Sequence, residues 1–219
     1  MIMADDMGYS DLGCYGGEIP TPNLDRLGYG GMRLTNYHTN NMCVPTRGTL
    51  MTGIQSDVSI VKGQGSVMHP RAATVAQSLQ AAGYHTLMSG KWHLAKSLDD
   101  VQNMPCQKGF DRYYGMLFGS ADYWHVYGLM RDNEHVIEES EQEDFYLTDA
   151  ISDNAVAFLK DAEGDERPVF LYVAYTAAHW PLHAREEDIA RHEGKYAEGW
   201  DGLRERRHAR MKELGLVTP

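Results

Sequence analysis

The chain has 219 residues, 42% hydrophobic and 23% charged, the balance of a folded globular protein and not of a disordered one. Its formal net charge of −11 excludes a general nucleic-acid binder, which is normally basic, yet leaves room for a local positive pocket that takes an anionic substrate. Cys14, Cys43 and Cys106 contain no C-x-x-C pair, so they form neither a disulfide framework nor a zinc site, and no apolar run reaches membrane-spanning length.

The first residues, "MIMADDMGYSDLG", run from four apolar positions straight into Asp5-Asp6, which reads as the last part of a strand. "TPNLDRLGYGG" predicts a short helix with Thr21 as N-cap, Pro22 at its first position and glycines to stop it. "MRLTNYHT" alternates well enough to predict a strand over 32–39, and a helix is expected from about Pro45 to Thr52. Residues 53–72 read as a loop rich in Gly and Ser.

"TVAQSLQAAG" predicts a helix with its apolar face at Val75, Leu79 and Ala82, closed by Gly83. "YHTLMSG" reads as a strand leading into "KWH", and residues 95–145 as irregular and aromatic, with a short hairpin around "GLMRDNEHVIEE". Apolar positions 147, 151, 155, 158 and 159 then mark an amphipathic helix. "PVFLYVAYT" is the unbroken apolar run of a strand covered on both faces. "GWDGLRERRHARMKELGL" predicts a helix with Leu203, Met211 and Leu214 inward and a solvated basic face outward.

Strands alternating with helices predict an α/β fold with a mainly parallel sheet flanked by helices. Ligands of such sheets sit beyond the carboxyl ends of the strands. Asp5-Asp6, Lys91-Trp92-His93 and His179 all fall there. Two adjacent carboxylates suit a hard cation such as Ca²⁺ or Mg²⁺, although a double aspartate taken alone is more often a turn or a helix cap. On an extended segment Lys91 and His93 point the same way and can face one anion; the bland alternative is a surface lysine beside a packed tryptophan. In "AAHWPLH", Pro181 favours a positioned His179.

Cys43 and Arg47 are one helical turn apart, with Pro45 between them in the first turn, where its missing N–H leaves no hydrogen bond unmade. Cys43 reads either as a small buried side chain or as a nucleophile activated by the helix start and Arg47. Three residues separate it from Arg47, not the five of the cysteine-phosphatase cradle.

"CVPTRGTLMTG" resembles the signature of the type I sulfatases, C-x-P-x-R followed by Leu and T-G. "ADDMGYSDLGCYG", "TPNLDRL", "AGYHTLMSGKWHL", "KGFDRYYG", "FLYVAYTAAHWPLHA" and "YAEGWDGLRERR" resemble sulfatase segments in the family's order and span nearly the whole chain. The resemblance implies an alkaline-phosphatase-like α/β/α sandwich and a sulfuric ester hydrolase. It implies that a formylglycine-generating enzyme oxidises Cys43 to formylglycine, the Pro and Arg serving recognition, and that Arg47 then positions the modified residue. It further implies that Lys91, His93 and His179 hold the sulfate and assist the leaving group, and that Asp5 and Asp6, with residue 43, ligate Ca²⁺ or Mg²⁺.

The chemistry so implied uses a hydrated aldehyde. One hydroxyl attacks sulfur and expels the alcohol; the second collapses to the aldehyde and ejects sulfate, which serine cannot do. Substrates implied are sulfated small molecules or sulfated sugars, and the localisation implied is exported or lysosomal. Thr46 replaces the family's usual serine, and residues 53–67 lack the family's histidine-containing turn. The family's later Asp-Asn pair, second lysine and smaller C-terminal domain have no counterpart among these residues. The expectation is therefore the N-terminal part of a sulfatase catalytic domain, shortened at both ends and inactive alone. A phosphoester hydrolase of the same superfamily and a catalytically incompetent fragment are the alternatives.

Overall fold

A computed structural model describes residues 1–61 and 67–218. Strands β1 (Ile2–Met3), β2 (His85–Gly90), β3 (Arg112–Met116), β4 (Leu129–Arg131), β5 (Glu134–His135) and β6 (Val169–Ala174) form one sheet in the order β1-β6-β2-β3-β4-β5. β1, β6, β2 and β3 are parallel; β4 and β5 add an antiparallel hairpin at one side. The α-helices among the described residues are α1 (Pro22–Gly30), α2 (Cys43–Thr52), α3 (Ser56–Ser59), α4 (Val75–Ala81), α5 (Leu147–Asp161), α6 (Glu186–Ala190) and α7 (Gly199–Glu213). None is long and apolar enough to cross a membrane.

The described chain packs as two units: Met1–Asp5 with Thr39–His183, and Asp6–His38 with the residues from Ala184 onward. The first holds the whole sheet. Because successive strand residues point to opposite faces, β2, β3 and β6 each split their side chains between two apolar clusters. Met88, Tyr113 and Tyr172 join Met51 and Ala76, from α2 and α4, on one face. Leu87, Tyr114 and Val173 join Leu147, Ile151 and Phe158 of α5 on the other. A sheet buried on both faces explains why "PVFLYVAYT" reads as a continuous apolar run.

Several sequence expectations change. α4 is capped by Thr74, whose hydroxyl accepts from Gln77 N while the Gln77 side chain takes Thr74 N; its buried residue is Ala76, and Ala82 is exposed. In α5 the inward set ends at Phe158, and Leu159 is exposed. Residues 53–72 contain α3 and an Ile60–Met68 bridge, so they are not simply loop; 62–66 of this stretch, part of the expected pocket wall without histidine, lie outside the described residues. β3 lies where irregular structure was expected: "RYYGM" pairs in register with β2, and only pairing distinguishes so short a segment from an aromatic loop.

In the second unit, residues 32–38 of the expected 32–39 strand form bends and coil with Met32, Leu34 and Tyr37 exposed, since no strand pairs with them; Thr39 begins the second segment of the first unit and is likewise coil. Thr21 precedes α1 but does not cap it with its side chain; the hydroxyl donates to Asp25 and accepts from Gly13 N. Leu203, Met211 and Leu214 of and beside α7 are half-buried, and Arg207 is half-buried with them. Its guanidinium grips both carboxylate oxygens of Glu18 and one of Asp11, so this basic residue is a clamp and not part of a solvated face.

Candidate active site

The carboxyl ends of β1, β6 and β2 meet at one edge of the sheet, and main-chain hydrogen bonds continue past the strands there. Asp5 N donates to Ala177 O at 3.0 Å, Lys91 N to Ala174 O at 2.8 Å, Trp92 N to Met116 O at 2.9 Å and His93 N to Leu117 O at 3.0 Å. Asp5, Lys91 and His93 are thus held by backbone, not left on loose loops. Trp92 between them is buried and donates its ring N–H to Asn103 O, which anchors the turn from below.

Lys91 and His93 reach the same place by a different route from strand alternation. β2 ends at Gly90, and His93 has φ of 57°, so the segment is no longer extended. Glycine is required at the turn: Gly90 has φ of 120°, and a Cβ there would lie 2.0 Å from Ala174 O.

Cys43 is the first residue of α2, half-buried, with Sγ 3.2 Å from His93 Nδ1. Asn40 braces this helix start: its amide donates to Pro45 O and Thr49 Oγ1, while Thr46 Oγ1 donates to Asn40 O and Met42 O. Burial, reinforced by the positive charges of Lys91 and Arg47, pulls the His93 ring down to about 4. At neutral pH it is an uncharged imidazole facing the thiol.

One turn along α2, the Arg47 side chain is buried beneath the edge. Nη1 donates to Lys91 O at 2.8 Å and to the Tyr172 hydroxyl at 3.2 Å, and Nη2 stands 3.5 Å from Asp5 Oδ1. Nε and Nη2 have no hydrogen-bond partner. A buried guanidinium with unspent donors is the environment an oxyanion fills. Lys91 Nζ pairs with Asp5 Oδ2, fully buried, and burial outweighs that carboxylate to hold the ammonium below its usual range.

His179 lies past the end of β6 on a backbone bend, its N donating to Thr176 O and its own carbonyl accepting from the Tyr123 hydroxyl. Its Nδ1 lies against Trp180 O, and its charge is among those that depress His93. Asp6 follows Asp5 in the chain with φ of 58°, as the first residue of the second unit. Five of the expected site residues (Asp5, Cys43, Arg47, Lys91 and His93) are linked by these contacts.

A resident divalent cation is a separate question. Asp5 already faces Lys91 and Arg47, and no group of three His, Cys, Asp or Glu among the described residues is arranged to hold a metal. Ca²⁺ takes about six to eight oxygens. The described residues do not fit such an ion by themselves.

Residues that sequence reading missed are Asn40, Met3 and Tyr172, whose hydroxyl links Arg47 to Met3 Sδ. Alternation along "VFLYVA" assigns Tyr172 to a face, but nothing local says that Arg47 meets it. Cys14 and Cys106 have the character of inert thiols: burial raises both, Cys106 to about 12.

The Sulfatase family model matches residues 1–215. The arylsulfatase of Klebsiella aerogenes is 36% identical over 241 aligned residues, covering 99% of this chain and 50% of that protein. Among solved structures, Ps i-CgsB in complex with k-i-k-neocarrahexaose superposes with a TM-score of 0.77 at 29% identity, covering 98% of this chain and 52% of the other. BT4656 in complex with its substrate D-glucosamine-2-N,6-O-disulfate gives 0.73 at 29% identity, covering 89% and 37%. The chain spans about half the length of the arylsulfatase and of Ps i-CgsB. An α/β sheet with this helix start at its carboxyl edge, matched along 215 residues, places the chain in the sulfatase family.

Proposed function

We propose that this chain contributes the nucleophile and the sulfate-binding groups of a sulfuric ester hydrolase, with Cys43 converted to formylglycine by a formylglycine-generating enzyme. The observation that carries the reading is the buried Arg47 guanidinium, one helical turn behind Cys43 and against Lys91; its Nε and Nη2 make no hydrogen bond, Nη2 standing in an ion pair with Asp5. Two fixed cations beside a helix N-terminus form a preorganised seat for a sulfuryl group, whose negative charge lies on its outer oxygens.

Formylglycine, once formed, supplies a hydrated aldehyde whose two hydroxyls serve attack and release. The side chains around it do the rest. Arg47 and Lys91 bind the sulfuryl oxygens and offset their charge. The neutral His93 ring orients a hydroxyl at residue 43 through Nδ1 and takes a hydrogen bond without adding charge. His179, on its braced bend, protonates the leaving oxygen. Asp5 keeps the Lys91 ammonium charged and aimed. No step is assigned to a cation, because the described residues do not complete its shell.

The substrate class we propose is a sulfated sugar or aryl sulfate, in line with the named substrate of BT4656 and with an N-acetylglucosamine-6-O-sulfatase from Bacteroides thetaiotaomicron that is 31% identical. The test is the chain co-produced with a formylglycine-generating enzyme and offered a chromogenic aryl sulfate, a sulfated glucosamine and the matching aryl phosphate. The expected result is sulfate release, slow from these residues alone because the cation shell is incomplete, that disappears in Cys43→Ala, with the phosphate ester untouched, and weaker binding of a sulfate monoester in Arg47→Lys. Sulfate-ester binding indifferent to Arg47 and turnover indifferent to Cys43 would overturn the reading.

A further inference from the structure

The His93 ring has a neighbour that contributes no side chain. A Cβ built on Gly119 would lie 2.4 Å from both His93 Cε1 and Nε2 and 3.0 Å from Nδ1. No real Cβ contact is that short, so the ring stands where it does only because residue 119 is glycine. Its backbone does not demand glycine, because its φ lies outside the left-handed range, unlike those of Gly90 and Gly115. The contact demands it.

The segment carrying Gly119 is itself pinned. Leu117 accepts from His93 N and donates from its own N to Gly128 O at 3.0 Å. The Phe118 ring stacks on Tyr127 at 5.6 Å, and a Cβ on Gly128 would lie 2.6 Å from the Phe118 ring, so one edge of that ring lies against bare backbone. Between them, residues 117–119 hold His93 by its main chain and bound its ring from the side.

We infer that Gly119 is a positioning residue: its missing side chain seats the His93 imidazole against residue 43, and any larger residue drives the ring away from Cys43. The atom that would yield is the ring and not the backbone, because Leu117, Gly128 and Phe118 fix the strand end while the imidazole turns about two side-chain bonds. The inference rests on the proposed role of residue 43 only for its consequence in turnover; its geometric content stands without it.

The test uses the full 219-residue chain in two backgrounds, comparing Gly119→Ala with the parent and Gly119→Ala/His93→Ala with His93→Ala. In the ring-labelled chain, the His93 imidazole nitrogen signals, assigned by their loss in His93→Ala, are expected to move in Gly119→Ala while those of the other histidines stay. The melting temperature should fall in Gly119→Ala and be unaffected by the same change once the ring is gone, since the clash no longer exists. In formylglycine-bearing protein, kcat should fall on the order of 10²-fold with KM little changed, as for a reacting group misplaced by about an ångström. Unmoved His93 signals, or a melting-temperature loss that persists without the ring, would overturn the inference. Absence of any sulfate release from the parent would count against the proposed function and leave the first two readouts to decide this one.

Discussion

Arg47 Nη1 donates to the main-chain oxygen of Lys91 at 2.8 Å, so the guanidinium that follows Cys43 is tied to the backbone of the residue that pairs with Asp5. Helix α2 and the end of β2 are thereby locked together through one buried cation. Replacing Arg47 with Met should lower stability by about 3 kcal/mol, because Lys91 O and the Tyr172 hydroxyl lose their donor in the interior. Arg47→Lys should recover only part of this, since an ammonium cannot reproduce a planar fork. Urea melts of the three proteins check it; equal stability of Arg47→Met and the parent would show that the contact carries no net energy.

Asp5 and Lys91 should behave as a coupled pair. Asp5→Asn alone leaves a buried ammonium unopposed, and Lys91→Met alone leaves a buried carboxylate with only Arg47 beside it; each should cost about 3–5 kcal/mol. The double variant should lose less than the sum, by about 1–3 kcal/mol. In Asp5→Asn the lysine, already held low by burial, loses the charge that opposed that shift. A depressed lysine binds fewer protons folded than unfolded, so this variant should gain stability as pH rises towards the free-lysine value near ~10.4. Strict additivity, or a flat pH profile, would contradict the pairing.

The three thiols should separate by reactivity. With unmodified chain at pH 8, an alkylating reagent should label Cys43, and reach buried Cys14 and the equally half-buried Cys106, whose thiols burial holds protonated, only after denaturation. Cys106, at about 12 in the folded chain against ~8.5 for a free thiol, keeps its proton longer folded than unfolded. Its contribution to stability is complete below ~8.5 and declines as pH climbs towards about 12. Cys106→Ser should flatten the alkaline limb of the stability profile. Native labelling of Cys106 ahead of Cys43 would be the opposite result.

Co-production with a formylglycine-generating enzyme should convert Cys43 to the aldehyde, read by mass spectrometry of the peptide that contains it. Pro45→Ala should reduce the converted fraction, since Pro45 belongs to the motif and sits in the first turn of α2. Finding only thiol at residue 43 in the parent chain under those conditions would rule the modification out.

The 219 residues alone should turn over a chromogenic aryl sulfate in the presence of Ca²⁺ far more slowly than the Klebsiella aerogenes arylsulfatase assayed beside them. The reason is the open cation shell: the described residues present no group of three ligands, and losing preorganised charge around a transferring group lowers rates by orders of magnitude. Comparable turnover would mean that the chain completes the shell from residues not assigned here.

Much of this was legible in the chain itself. The 3.6-residue spacing of Leu147, Ile151, Ala155 and Phe158 delivers α5, and the unbroken "VFLYVA" delivers a strand buried on both faces, because each pattern has one cheap way of hiding its apolar atoms. Where burial depends on a remote partner, local pattern misleads. "RYYGM" becomes β3 only because β2 lies alongside it, while "MRLTNYHT" alternates as well and finds no strand to pair with. Arg207 reads as one basic residue among many until Glu18 and Asp11 close around it.

At the site the division is the same. By itself the sequence determined which chemistries are present: a cysteine one turn before an arginine, a lysine and a histidine after a strand, a carboxylate at the end of another. Side-chain identity and spacing along one element are local properties, and local physics settles them. Tertiary structure alone decided that Arg47 keeps Nε and Nη2 without a hydrogen bond in the interior, that Lys91 is paired with Asp5, and that His93 is neutral and turned by a left-handed backbone. It also decided that Gly119 leaves room for that ring. Desolvation and orientation arise from segments tens of residues apart packing at one sheet edge, and no window along the chain contains them both.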